Sequence, residues 1–250
     1  MSTRVITRRR AIFTGLAAAG GLALTRDWSD MPPTFGNILR MGDTLTYAAF
    51  RMLPRHRLAR EYTPADISSM PAHGVLDVAL PGGRETPDDY RRVLDAGFAG
   101  WRLSVEGRVA TPRSFSLTEL KQLPSRTQIT RHVCEEGWSA IAQWTGVPLR
   151  TLLETVGILP TARSVVFHSY DQWAVSIDIP DALHPQTLLA YGMNGRDLPI
   201  PHGAPVRLRL ETQLGQKSVK YLRRIVVKDE FDDGGKNGEI QNGWAWYMGI

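Results

Sequence analysis

The sequence predicts a single α+β domain, on three observations. Its 16 prolines and 23 glycines in 250 residues cut the chain into many short elements. Those elements mix period-two apolar alternation with short helical patterns, unlike the long strand–helix alternation of a doubly wound nucleotide fold. No glycine-rich phosphate loop follows any predicted strand. A hydrophobic fraction of 42% against 22% charged residues is enough apolar material for one sizeable core.

Residues 1–25 read as a targeting segment. Arg8, Arg9 and Arg10 stand directly before Ala11-Ile12-Phe13, and an uncharged Ala-, Gly- and Leu-rich run reaches Leu24. A basic start and a short apolar stretch describe a signal peptide, since a spanning helix needs about 20 apolar residues. The arginine pair resembles a twin-arginine signal, which exports folded proteins, so the expected location is the bacterial periplasm. Small residues at 17–19 and 21–23 offer no decisive cleavage site, and an uncleaved signal would tether the protein to the membrane.

Residues 26–62 form a basic connector. Phe35, Ile38, Leu39, Leu45, Tyr47, Phe50 and Leu53 predict one amphipathic helix ahead of Pro54, packed on the domain or facing a partner or membrane surface. The positive charge is concentrated in roughly the first 60 residues, signal segment included, and the remainder is close to balanced. With no basic patch carrying interleaved aromatics, and no helix-turn-helix or zinc pattern, nucleic acid is excluded as the partner.

Residues 63–250 make the domain proper. Trp101 to Val105 alternates and ends at Gly107, predicting a strand and hairpin. Ser116-Leu117-Thr118-Glu119 is a capping box opening a short helix through Leu123. Strands are predicted over Gln128–Cys134, Ser164–Phe167, Trp173–Ile179, Val206–Leu210 and Tyr221–Val227, and helices over Ser139–Trp144 and Leu149–Val156.

Cys134 is the only cysteine. No intramolecular disulfide is possible, and a thiolate-built zinc or iron–sulfur site is ruled out. At the end of a strand, beside Arg131 and His132, a thiolate would be stabilised. The residues leave three roles open: a metal ligand, a nucleophile with His132 or His168 as base, or a buried spectator. His56, His132, His168 and His184 lack metal-ligand spacing and read as structural, and Trp138 and Trp144 read as core.

Three ordered blocks narrow the choice. Cys134-Glu135-Glu136-Gly137-Trp138-Ser139, followed by Trp144-Thr145-Gly146-Val147-Pro148-Leu149, is the first. Met193-Asn194-Gly195-Arg196-Asp197-Leu198-Pro199 with His202-Gly203-Ala204-Pro205-Val206-Arg207 is the second, and Gly215-Gln216-Lys217-Ser218-Val219-Lys220-Tyr221-Leu222 the third. Together they resemble the sulfite oxidase family, nearest its branch of periplasmic methionine-sulfoxide reductase catalytic subunits. Weaker similarity runs from about Tyr62 to Ile250.

The resemblance implies a sulfite oxidase-type molybdopterin-binding domain, without the C-terminal immunoglobulin-like dimerisation domain of classical members. It also implies a molybdenum–molybdopterin cofactor with Cys134 as the metal ligand. It places His202 and Arg207 at the pterin and its phosphate, and Ser218, Val219 and Lys220 in a turn closing over the cofactor. Ser169, or Asp171 in its stead, aligns with a polar cofactor contact. His73 falls where relatives generally carry asparagine. Glu136 is expected as a pocket residue and proton relay.

The reaction implied is oxygen-atom transfer to or from a small-molecule substrate. Glu135 and Glu136 would repel a dianion, which favours reduction of a neutral S-oxide or N-oxide over sulfite oxidation. With no Cys-x-x-Cys-His haem segment, electrons are expected from a separate haem-containing membrane subunit or soluble cytochrome serving a monomeric enzyme. A non-catalytic exported domain that keeps the fold is the alternative.

Overall fold

The computed structural model describes residues 41–52, 57–77 and 83–250. All of them belong to one compact unit, Pro33–Ile250. The expected signal segment, 1–25, lies outside the described residues, as do the connector residues 26–40 and 53–56. No described helix is long and apolar enough to cross a membrane.

The domain is built on two sheets. Strands β1 (Arg102–Gly107) and β2 (Arg113–Ser116) form the predicted hairpin, with Leu103 and Val105 turned inward. Helix α3 (Leu117–Gln122) follows; helices α1 (Met41–Arg51) and α2 (Asp88–Asp95) precede it in the chain. The capping box at α3 forms as the sequence specifies: Glu119 N donates to Ser116 Oγ, and Ser116 N to the Glu119 carboxylate at 2.8 Å.

Strands β3 (Arg126–Val133) and β4 (Ser139–Pro148) pair antiparallel, and helix α4 (Leu149–Val156) follows. The helix predicted over Ser139–Trp144 is thus a strand. Ala140, Ala142 and Trp144 alternate inward, and β4 is paired on both edges, so ladder pairing overrides alanine's helix preference. Gly146 and Pro148 belong to the same strand, so no break stands where the second predicted helix was to be separated from the first.

Next come β5 (Ser164–Ser169), β6 (Ala174–Asp178) and a one-turn helix α5 (Ile179–Ala182). Strands β7 (Leu188–Met193), β8 (Arg196–Asp197), β9 (Arg207–Arg209) and β10 (Leu222–Lys228) complete the fold. The first sheet runs β2-β1-β10-β5-β6, with β1 and β10 parallel. The second runs β3-β4-β7-β8, and β9 also pairs with β7. The main core packs Trp101, Leu149, Leu152, Phe167, Tyr221 and Ile225 together. A smaller cluster gathers Trp144, Leu188, Ala190 and Met193.

The described connector residues pack on this body. Tyr47 donates to Asp178 at 2.9 Å, and Arg51 pairs with Asp178 and Asp181 at 2.9 and 2.7 Å. Tyr62 N reaches Ile129 O on the edge of β3. Helix α1 therefore has a docked face, while Leu45 and Met52 stay in solvent.

Candidate active site

Four chain segments converge on a cavity of about 370 Å³. The β3–β4 turn brings Cys134, and the loop through His73 forms one rim. The 3-10 turn Ile200–His202 and the start of β9 bring His202 and Arg207. The segment between β9 and β10 brings Gly215, Ser218, Val219 and Lys220. Of the sequence-derived candidates, His73, Cys134, Asp171, His202, Arg207, Ser218, Val219 and Lys220 line the cavity, whereas Glu136, expected as a pocket residue, is exposed beside Cys134 and outside the lining, its place taken by Glu135. Ser169 stands behind, its hydroxyl bonded to the Asp171 carboxylate and to Trp173 O. Asp171 faces the cavity and pairs with Arg84.

The Cys134 turn is held by its own backbone, Cys134 N to Trp138 O at 2.9 Å and Gly137 N to Cys134 O at 3.1 Å. The thiol is buried, with Glu135 Oε2 at 3.5 Å and Glu136 Oε2 at 3.7 Å from Sγ. Burial, with the carboxylates of Glu135 and Glu136 beside it, pushes the thiol up to about 11. The expected stabilisation by Arg131 and His132 does not occur. Strand alternation turns Arg131 away, over the Tyr62 ring. His132 faces inward but is held neutral by burial and by Arg209, which donates to its Nδ1 at 2.6 Å. The resting protein therefore keeps Cys134 as a thiol. A metal ion would have to displace the proton.

The opposite wall is cationic. Arg207 is 3% exposed and donates only to main-chain oxygens: His202 O at 2.9 Å, Ser218 O at 2.8 Å and Leu208 O at 3.4 Å. Lys220 donates to Pro201 O at 2.9 Å and to His73 O. Neither has a carboxylate within ion-pairing distance among the described residues. Burial and the adjacent Arg209 push the Arg207 guanidinium down to about 9, and burial with Arg207 pushes Lys220 down to about 7. His202 is driven down to about 4 by burial and by Arg207 and Lys220. Buried cations without counterions are costly unless an anion completes the site.

Close approaches shape this wall. A Cβ on Gly215 would lie 2.3 Å from the His132 ring, and one on Gly203, at φ 104°, only 2.7 Å from Lys220 Cβ. Tyr221 holds a left-handed φ of 54°, directly after Lys220.

Sequence reasoning missed Arg84, Arg209 and Gly215, and set aside His132 as structural and Trp138 as core. The signal for His132 was its spacing two residues from Cys134, which puts both on one face of an extended strand. Trp138 is half-buried on the cavity rim rather than core, donating from Nε1 to Glu136 Oε2 at 3.0 Å; Trp144 is core, beneath Arg209 at 4.4 Å. Glu136 Oε2 also lies 3.4 Å from His73 Nδ1. Among the described residues, no group of three or more His, Cys, Asp or Glu side chains is placed to hold a metal ion. A metal at Cys134 needs the rest of its donors from a cofactor.

The Lys220 environment gives a stability prediction. Between about pH 7 and pH 9 the unfolded chain keeps a proton on Lys220 that the folded cofactor-free protein sheds. Stability of the cofactor-free protein is therefore expected to rise with pH across that window, and Lys220→Met should flatten the rise. Urea midpoints at successive pH values check this; an unchanged slope in the variant refutes the assignment.

Similarity to known proteins covers the same segments. The profile of the family described as "Oxidoreductase molybdopterin binding domain" matches residues 91–235. A protein of Azospira oryzae, provisionally named protein-methionine-sulfoxide reductase subunit YedZ1, is 37% identical over 188 residues, covering 75% of this chain and 70% of its own length. The protein-methionine-sulfoxide reductase catalytic subunit MsrP of Ralstonia nicotianae is 32% identical over 226 residues, covering 78% of this chain and 68% of its own. Among solved structures, the sulfane dehydrogenase SoxCD of Paracoccus pantotrophus aligns with a TM-score of 0.50 at 24% identity. That alignment covers 52% of this chain and 38% of the SoxCD chain, and bears on the fold alone.

Proposed function

The chain belongs to the family of oxidoreductase molybdopterin-binding domains, and on that premise we propose that it is an exported catalytic subunit reducing an S-oxide substrate with electrons from a separate protein. The observation that carries this reading is the polarity of the cavity. Two cations without carboxylate partners, Arg207 buried and Lys220 half-buried, stand at one end, and at the other a lone thiol with Glu135 in the lining and the exposed Glu136 3.7 Å from Sγ.

A molybdenum–molybdopterin cofactor fits that arrangement. Arg207 and Lys220 supply the charge an anionic phosphate lacks in water-poor surroundings, and Gly215 lets the backbone approach. Ser218 and Val219 line the same wall, and His202, held neutral, is left with ring nitrogens for hydrogen bonding. Asp171 and His73 are polar contacts at the rim. Cys134 Sγ supplies the protein's thiolate to the metal. When bound, the cofactor supplies the two-electron couple through which an oxygen atom is transferred.

The chain's own residues sort the substrate. Glu135 and Glu136 beside Sγ disfavour a dianion such as sulfite and tolerate a neutral sulfoxide. Glu136 Oε2, fixed by Trp138 and close to His73, is placed to hold and deliver a proton to the departing oxygen. The net reaction consumes two electrons and two protons, turning a sulfoxide into a sulfide and water. The relatives' names, protein-methionine-sulfoxide reductase subunits, support this direction.

One preparation tests the whole reading. Protein recovered from the periplasmic fraction of a bacterium able to make molybdopterin is expected to reduce methionine sulfoxide with a viologen donor and to oxidise sulfite at least tenfold less efficiently. Recovery only from the cytoplasm overturns export through Arg8-Arg9. Efficient sulfite oxidation without sulfoxide reduction overturns the direction.

A further inference from the structure

His132 is buried and lines the cofactor cavity, and its ring is gripped from behind. Arg209, at the end of β9, points Nη1 at His132 Nδ1 from 2.6 Å. A guanidinium has five donors and no acceptor, so Nδ1 must be the acceptor of this bond. The ring is therefore a neutral imidazole whose one N–H hydrogen sits on Nε2. Burial alone permits either tautomer; the Arg209 contact permits one.

The guanidinium is not free to turn away. Its Nε and Nη2 donate to the two oxygens of Glu211, at 3.2 and 2.7 Å, and its central carbon lies 4.4 Å from the centre of the Trp144 ring. Glu211 is held in turn by Gln128 Nε2 at 3.1 Å. Gln128, Arg209 and Glu211 are all buried. This chain of bonds ends at the cavity in a single donor, the N–H of His132 Nε2. Among the described residues no acceptor is bonded to it. Its close neighbour is Gly215, where a Cβ would lie 2.4 Å from Nε2, so any side chain at that position would crowd the donor.

On the reading of the cavity as a molybdopterin site, which this assignment deepens, we infer that His132 is a further cofactor-holding residue. Its Nε2–H donates to an acceptor atom of the bound cofactor, and Arg209 and Glu211 are the positioning residues that dictate its tautomer. An anionic cofactor presents oxygen and sulfur lone pairs and needs donors around it. Arg207 and Lys220 meet that need with charge. A neutral N–H meets it without adding a third cation to a wall that has no carboxylate partner. The same geometry removes His132 as a base for Cys134. With Nδ1 taken by Arg209 and a hydrogen on Nε2, the ring has no lone pair left to accept the thiol's proton.

Two substitutions separate the donor from the packing. Asparagine sets an oxygen near the Nδ1 position, which satisfies Arg209, but does not reach the place of Nε2. Glutamine carries an N–H out to that place. His132→Asn is expected to lose molybdenum on dialysis about tenfold faster than the unmodified holoenzyme, and His132→Gln to stay within about threefold of it. A measurement without cofactor reads the tautomer directly. In the unmodified cofactor-free protein, nitrogen NMR of the histidines should show the His132 hydrogen on Nε2, with the signal identified by its absence from His132→Asn. A hydrogen on Nδ1, retention in His132→Asn equal to the unmodified holoenzyme, or equal loss from both variants overturns the inference. Unmodified protein that carries no molybdenum, made in a host able to supply molybdopterin, would instead sink the reading of the cavity and this assignment with it.

Discussion

Cys134→Ala is expected to abolish molybdenum retention while leaving the folded domain nearly as stable as before. Removing one buried sulfur costs on the order of 1 kcal/mol, a small fraction of a domain's stability. Nothing in the fold hangs on the thiol: the turn around it is closed by main-chain bonds to Trp138 and Gly137. The metal has no other protein donor cluster among the described residues. The prediction is therefore asymmetric, with total loss of one property and near retention of the other. Metal analysis of exported protein reads the first, and a urea midpoint the second. A thiol pushed up to about 11 by burial and by its two glutamates adds a second readout. In cofactor-free protein near pH 7, Cys134 should alkylate far more slowly than a free cysteine, because the thiolate is scarce. Stoichiometric molybdenum in the alanine variant would overturn the ligand assignment.

The fold and the site were legible to different depths for physical reasons. Short-range chemistry survived: the Ser116–Glu119 capping box and the Leu149–Val156 helix form where local pattern places them. The Ser139–Trp144 error arose because a strand paired on both edges takes its identity from its partners, β3 across the Cys134 turn and β7, which is distant in sequence. At the site, Cys134, His202, Arg207 and Lys220 were recognisable because each lies in a compact block. Their convergence was not, since it depends on how β9 and β10 fold back over the β3–β4 turn. His132 was set aside for lack of ligand spacing, yet its role is set by Arg209, 77 residues further on. The thiol's proton affinity was misjudged for the same kind of reason. Sequence neighbours Arg131 and His132 looked like its partners, while pleat geometry and a buried guanidinium removed both from that role.

Lys217→Met carries the largest expected loss of stability. Lys217 is fully buried and donates to Glu239, also fully buried, and to Ser176 O at 2.8 Å. Trp246 stacks on the ammonium at 5.1 Å and donates to Ser176 Oγ, and Gln216 reaches Glu239 Oε1 at 3.3 Å. Removing the lysine leaves a buried carboxylate without its cation, a change worth about 3–5 kcal/mol. Burial already pushes Glu239 up to about 7 against the opposing pull of Lys217, and the variant should push it further. A carboxyl whose folded pKa exceeds its unfolded value adds stability at low pH that is lost as pH rises through the folded value. The variant's deficit is therefore expected to be smallest near pH 5 and to grow toward pH 8. Replacing both partners, Lys217→Met with Glu239→Leu, should recover most of the stability, because no unpaired charge remains. Cofactor retention separates packing from positioning. Gly215 and Gln216 line the cavity immediately before Lys217, and Ser218 O anchors Arg207 immediately after it. If the pair positions that segment, the double variant regains its urea midpoint yet still holds molybdenum more weakly than the parent. If retention recovers fully with stability, the pair serves the fold alone.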